Sequence, residues 1–179
     1  MTWERLRKDI LSALKQDKHC VCSTMFDYFG LQPDFPGKDQ ANSLHGSQQK
    51  AEIVENAIEE KIVKEMGASF DTSRFIPYVQ MYEFEGLLFS APVQFAQSLG
   101  VPKLEKPFQK IRESFQTPED INDGQETAPS KRILKLHQQY GKVLDGVVVA
   151  QDIGVDVLRQ ECPHFSAWVG KLEFLETVV

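Results

Sequence analysis

The sequence predicts an α/β fold, with a small and mostly parallel sheet flanked by helices and a helical carboxyl-terminal half. Three observations predict it. An amphipathic helical pattern over residues 3–17 precedes a strand-like run over 19–26, and a second helical pattern over 51–66 precedes a second strand-like run over 74–82. After residue 83 the pattern is helical throughout. Strand, helix and strand in this order fit a right-handed crossover between parallel strands.

The length of 179 residues predicts one domain, spanning 1–179, with its own core. No apolar run approaches the roughly 18 to 20 residues that a membrane span needs. The charged first residues differ from a signal peptide, and three cysteines do not form a disulfide framework. We therefore expect a cytoplasmic protein with reduced thiols and no membrane segment.

Two features of the amino-terminal half need separate interpretation. Residues 31–49 are polar, contain Pro33 and Pro36 and show no period, which predicts a long loop that either closes over a substrate or is disordered. Pro77 removes one backbone donor from the second strand-like run. That strand then either has an unpaired side or begins after the proline.

The carboxyl-terminal half shows the typical signals of helix starts. Glu83 to Ser90 resembles a first helical turn, Thr117 is a hydroxyl cap before a proline, and Ser130 begins another helix. Residues 143–150 continue a helical register, and an apolar stripe marks a last helix from Pro163 to about Glu176.

The formal net charge of −6 excludes a basic protein that coats nucleic acid. Of the three segments 1–102, 103–142 and 143–179, only 103–142 carries an excess of positive charge, with 8 Lys and Arg against 6 Asp and Glu. A protein of this balance needs a metal ion or local positive charge to act on phosphates.

Three carboxylates are the strongest candidates for chemistry. Asp27 ends the first strand-like run, and Glu83 and Glu85 follow the second. Ligands bind beyond the carboxyl ends of parallel strands, and adjacent strands lie ~4.8 Å apart. Carboxylates at these positions suit Mg²⁺ or Mn²⁺. The alternative is structural, with Asp27 capping a turn and the two glutamates favoured by the dipole of a helix start.

A phosphate-binding site is predicted at Ser130, Lys131 and Arg132. A helix amino terminus offers free N–H groups to an anion, and the two cationic side chains add charge. The alternative is a solvated helix start that is capped by the serine hydroxyl.

Several ordered segments together resemble a known family. They are MFDYFG (25–30), DFPG (34–37), IPYVQMYEFEGLLF (76–89), APSKR (128–132) and CPHF (162–165). In this order they resemble the bacterial domain-of-unknown-function family 4276, over nearly the whole chain. That family is similar to the Toprim-like group of topoisomerases, primases and nucleases, in which acidic residues hold Mg²⁺.

The resemblance implies a Toprim-like sheet, a metal held by Asp27, Glu83 and Glu85, and catalytic roles for the two glutamates. This chain departs from the expected patterns at two points. Phe29 stands where the Toprim site has its second aspartate, and Tyr82 stands where family 4276 has a histidine before Glu-x-Glu. A strand with a Glu-Gly-x-Thr-Glu motif is also expected before the first helix. We therefore expect a family member that lacks this strand.

Two functional hypotheses follow from the resemblance. In the first, the chain hydrolyses phosphodiester bonds in nucleic acid with Mg²⁺ or Mn²⁺, in phage defence beside a partner ATPase. In the second, it is a non-catalytic interaction module that docks on the ATPase or forms a homodimer through an exposed sheet edge.

Overall fold

The computed structural model describes residues 1–122, 124 and 127–176. By its internal contacts the chain divides into two compact units, Met1–Gln80 and Met81–Val178. The first contains all the strands of the described residues, and the second is helical. This confirms an α/β fold with a helical carboxyl-terminal half, while a single domain over 1–179 stays a prediction.

The amino-terminal unit contains three helices and four short strands. Their bounds in chain order are α1 (Trp3–Gln16), β1 (Cys22–Ser23), β2 (Phe26–Asp27), α2 (Lys38–Asn42), α3 (Ser47–Met66), β3 (Phe75–Ile76) and β4 (Val79–Gln80). Strand β1 pairs in parallel with β3, and β2 with β4. The crossover predicted from the sequence is therefore confirmed, with α3 as its long helix.

The two strand-like runs are each interrupted at the same level. Pro77 has no N–H, so the ladder between the runs cannot continue across it. The hydroxyl of Thr24 substitutes for the ladder here, because Thr24 Oγ1 accepts a hydrogen bond from Tyr78 N at 2.9 Å and donates one to Tyr78 O at 3.1 Å. One buried side chain thus pairs both backbone groups of Tyr78.

Helix α3 is tied to the sheet by a carboxylate. The side chain of Glu55 is buried and accepts the N–H of Val79 at 2.8 Å. The apolar side of α3 supplies core residues from Ala51 to Ile62, and the helix ends at Met66, directly before Gly67, as the sequence predicts.

The loop predicted over 31–49 is corrected by the structure, which places α2 there and starts α3 at Ser47. Gly37 precedes α2 with a φ of 76°, and a Cβ at this position would lie 2.7 Å from Ile53 O of α3. Only glycine permits this close approach and this φ together. Contacts with α3 hold this segment in place. Because such contacts do not produce a hydrophobic period in the sequence, the helix was not predicted.

The carboxyl-terminal unit contains seven helices within its described residues. Their bounds are α4 (Glu85–Leu88), α5 (Pro92–Ser98), α6 (Glu105–Arg112), α7 (Pro129–Leu136), α8 (Leu144–Ile153), α9 (Val155–Glu161) and α10 (Pro163–Glu176). The predicted starts at Ser130 and Pro163 are confirmed within one residue. Thr117 begins only a short 3₁₀ turn, Pro118–Asp120.

The core of this unit is built from aromatic rings. Phe89, Phe95 and Phe108 are fully buried, and the rings of Phe95 and Phe108 stack with their centroids 4.4 Å apart. Helix α4 packs against α7, α8 and the Pro118–Asp120 turn. These contacts fix the residues at the start of α4 in place.

Replacing Thr24 by Val tests the bridging hydroxyl. The two side chains have similar shape, but Val removes the hydrogen bonds that Thr24 makes to the buried N–H and C=O of Tyr78, so we expect the free energy of unfolding to fall by about 1–3 kcal/mol. Urea unfolding measures this. The exposed Thr72→Val is the matched control, and an equal loss in both variants would contradict the assigned role of Thr24.

Lys38 gives a second test, through pH. Burial, and then the charge of Lys50, lowers the pKa of Lys38 from 10.5 to about 8. Between these values the unfolded chain binds the proton and the folded chain does not, so stability rises with pH, by up to about 1.4 kcal/mol per unit.

Lys38→Met should lose this rise between pH 8 and 10, whereas the exposed Lys64→Met should keep it. Urea unfolding at pH 7.5, 8.5 and 9.5 measures the difference. Equal pH dependence in the wild type and Lys38→Met would show that burial of Lys38 does not shift its proton equilibrium.

Candidate functional site

Glu85 carries the most buried carboxylate at the start of α4. Its side chain is 2% exposed, and its Oε2 lies 3.2 Å from Lys142 Nζ. Burial raises the pKa of Glu85, and the neighbouring ammonium opposes this shift only in part. Apart from the ion pair, Glu85 Oε2 has no hydrogen-bond partner among the described residues. A buried oxygen in this condition is an available ligand.

Glu83 lies two residues earlier and is held by the amino terminus of α7. Its Oε2 accepts the backbone N–H of Ser130 at 3.0 Å. This bond satisfies one of the free donors at the helix start and places a negative charge where the helix dipole favours it. This backbone hydrogen bond therefore orients the carboxylate of Glu83. Its other oxygen, Oε1, takes no part in the bond.

The two carboxylates share one cationic atom. Lys142 Nζ lies 3.6 Å from Glu83 Oε1 and 3.2 Å from Glu85 Oε2. The lysine side chain is 49% exposed, whereas that of Glu85 is almost fully buried. The carboxylates are thus the fixed part of this group, and the ammonium, at the end of a half-exposed stem, is the exchangeable part.

Tyr140 lies close enough to the carboxylate pair for both charges to act on its hydroxyl. Its hydroxyl is buried, and among the described residues it has no hydrogen-bond partner. Burial, followed by the charges of Glu85, Asp145 and Glu83, raises the pKa of Tyr140. Gly146 permits this position, because a Cβ there would lie 3.1 Å from the tyrosine oxygen. The phenol stays protonated, with an O–H to donate.

The three residues predicted to bind phosphate have separate surroundings. The N–H of Ser130 is bonded to Glu83, and Lys131 is exposed. The Nε of Arg132 donates to Thr127 O at 2.7 Å, and its guanidinium lies 5.2 Å above the ring of Phe115. The helix start is thus already occupied by a carboxylate of the chain itself, and a joint phosphate site at these three residues stays a prediction.

Asp27, the third predicted metal ligand, belongs to the amino-terminal unit. It ends β2, where its partner in the register is Gln80 at the end of β4. This confirms its predicted place at the carboxyl end of a parallel strand. Its role as a metal ligand stays a prediction.

Glu83 and Glu85 are the residues of this unit that could hold a hard divalent cation. No group of three or more His, Cys, Asp or Glu side chains that could hold a metal occurs within 1–122, 124 and 127–176. Mg²⁺, however, keeps several waters and is commonly held by one or two carboxylates together with substrate phosphates. Glu83 Oε1 and Glu85 Oε2, which already share one cation, meet this requirement.

The CPHF segment has a structural role in the same unit. Pro163 begins α10, and the buried carboxylate of Glu119 accepts the N–H groups of His164 and Phe165 at 3.0 and 2.9 Å. Cys162 is buried with its Sγ 3.3 Å from Ser90 Oγ. The hydrogen bonds to Glu119 cap the first turn of the last helix. The role of this segment is therefore structural, and it takes no part in the carboxylate pair.

Lys142 and Tyr140 are the site residues that sequence reasoning missed. They lie on the short connection between α7 and α8, which has no hydrophobic period to mark it. The positive balance of residues 103–142 is the one signal that included Lys142, and it pointed to the segment without selecting the residue.

Comparison with known proteins supports one assignment. No curated protein and no solved structure matches the chain. No helix of the described residues is long and apolar enough to cross a membrane. The family described as "Domain of unknown function (DUF4276)" matches residues 1–173, and the chain therefore belongs to this family.

Proposed function

We propose that this protein is a metal-dependent phosphodiester hydrolase whose cation is held by Glu83 and Glu85. One observation carries the proposal: one oxygen of each carboxylate lies within ion-pair distance of the same cationic atom, Lys142 Nζ. Two carboxylates brought together repel each other unless a cation lies between them. A divalent ion would satisfy this pair more completely than a single ammonium does.

The chemistry follows from the donor set. When bound, Mg²⁺ or Mn²⁺ would polarise a phosphodiester and lower the pKa of a bound water. Glu85 would supply a ligand from an almost water-free position, and the Ser130 N–H would keep the Glu83 carboxylate in one orientation. The O–H of Tyr140 would be an available donor at the edge of the site.

Lys142 would serve in two positions. While the pair holds no metal, its ammonium offsets one of the two negative charges. Its half-exposed side chain can turn outward when a divalent ion enters, and it is then a cation placed to contact a substrate phosphate.

The nature of the substrate rests on the resemblance to Toprim-like nucleases. That resemblance supports nucleic acid as the substrate, and phage defence beside a partner ATPase as the setting. The charge balance supports it as well, because residues 103–142 carry positive charge in an otherwise acidic chain. A non-catalytic interaction module is the alternative, and the exposed apolar residues of α8, such as Leu144 and Val147, favour it.

Metal binding is the first test. We expect Glu83→Gln and Glu85→Gln each to weaken Mn²⁺ binding about tenfold or more, since each removes one of two charged ligands. Lys142→Gln should strengthen binding, because no ammonium then competes for the carboxylates. Calorimetry with Mn²⁺ measures all three, with the exposed Glu60→Gln as the charge-matched control.

Unfolding in urea separates ligand loss from misfolding. Because burial disfavours the charged form of Glu85, the Gln variant should be no less stable than the wild type. If Glu85→Gln folds and binds Mn²⁺ as tightly as Glu60→Gln, the cation does not lie at this pair.

Hydrolysis is the second test. Labelled single- and double-stranded DNA and RNA are incubated with Mg²⁺ or Mn²⁺ and each of the wild type, Glu83→Gln, Glu85→Gln and Glu60→Gln. We expect cleavage of at least one substrate by the wild type and Glu60→Gln, and a loss of about 100-fold or more in the two site variants. The Asp27→Ala variant in the same assay tests the predicted third ligand.

Equal background cleavage by all these proteins would exclude the hydrolase and leave the interaction module. Chelation with EDTA should abolish any activity of the wild type. Activity that persists in EDTA would contradict a metal-dependent mechanism.

A further inference from the structure

Helices α6 and α7 line an open surface cavity outside the carboxylate pair. Its volume is about 370 Å³, within the range of small-ligand sites. Lys110 lines it from α6, and Arg132 and Lys135 line it from α7. No Asp or Glu is among the described residues that line it. In a chain with a net charge of −6, three cations at one cavity favour an anionic ligand.

The rest of the cavity wall is apolar. Pro107 and Ile111 contribute from α6, and Leu136, itself exposed, contributes from the last turn of α7. A ligand that matches this wall carries an apolar ring or sugar face next to its negative charge. Free inorganic phosphate would leave this apolar wall uncovered.

Arg132 is the most firmly placed of the three cations. Its Nε donates to Thr127 O, and its guanidinium lies over the Phe115 ring. These two contacts hold the guanidinium plane, and within the described part of the chain the terminal nitrogens make no hydrogen bond or ion pair. A planar, oriented guanidinium suits the paired oxygens of a phosphate.

We propose that this cavity binds one nucleotide unit, with its phosphate against Lys110, Arg132 and Lys135 and its base or sugar against Pro107, Ile111 and Leu136. The unit is either a free nucleotide or part of a single strand. A compact cavity of this volume fits such a unit better than an extended acidic peptide, which would need a longer groove.

The cavity and the carboxylate pair share helix α7. The N–H of Ser130, in the first turn, holds Glu83, while Arg132 and Lys135 lie two and five residues further on. At a rise of 1.5 Å per residue the cations are offset by roughly 3 to 8 Å along the helix axis. As a substrate-holding site the cavity rests on the proposed function, but nucleotide binding itself can be measured without metal.

The test uses fluorescence anisotropy of a labelled six-residue oligothymidine in EDTA, so that no metal-dependent step contributes. We expect the double variant Lys110→Gln, Lys135→Gln to bind about tenfold or more weakly and to show a shallower salt dependence. The double variant Lys103→Gln, Lys171→Gln removes the same charge from exposed positions elsewhere in this unit, and should bind within about twofold of the wild type. An unchanged urea midpoint confirms that the cavity variant folds.

Labelled AMP in a parallel titration distinguishes the two sources of the nucleotide unit. Binding of either probe that depends on Lys110 and Lys135 supports the proposal. Absence of binding of both probes, or equal weakening in the two double variants, would overturn it. So would binding of a labelled oligoglutamate through the same two lysines as tightly as the oligothymidine.

The outcome is independent of the metal experiments. If Glu85→Gln abolishes Mn²⁺ binding but the double variant Lys110→Gln, Lys135→Gln binds oligothymidine like the wild type, only the cavity assignment fails. If cavity-dependent binding persists while Mn²⁺ binds elsewhere, only the proposed hydrolase centre fails.

Discussion

Burial of the Glu85 carboxylate is the constraint on which the carboxyl-terminal unit depends. A charge removed from water costs several kcal/mol unless another group compensates it. Here the compensation comes from Lys142, on the connection between α7 and α8, so both helices must be placed relative to α4 for the ammonium to reach. Gly146 belongs to the same arrangement, because it leaves room for the ring of Tyr140 beside the carboxylates.

Helix α7 contacts both the carboxylate pair and the proposed nucleotide cavity. Its first turn donates the Ser130 N–H to Glu83, which orients one carboxylate by backbone alone. Its later turns present Arg132 and Lys135 to the cavity shared with α6. A helix is rigid over this distance, so the spacing between carboxylates and cations is set by the fold. The basic segment and the acidic pair, separate in sequence, thus both contact helix α7.

The sequence predicted the elements whose signals are local, and missed the contacts that are not. Gly67 and Pro163 mark a helix end and a helix start correctly, because caps act on their nearest neighbours. Helix α2 was not predicted, because its position depends on the close approach of Gly37 to the backbone of α3. Glu83 and Glu85 were found from their position after a strand, but Lys142, 57 residues beyond Glu85 and without periodic surroundings, could be found only in three dimensions.

The position of the cation tests the central claim most directly. Crystals soaked in Mn²⁺ would show the ion by anomalous scattering. The proposed centre predicts a single strong peak between Glu83 Oε1 and Glu85 Oε2, with the Lys142 side chain turned away from both. A peak at other carboxylates, with Lys142 still bridging this pair, would contradict it.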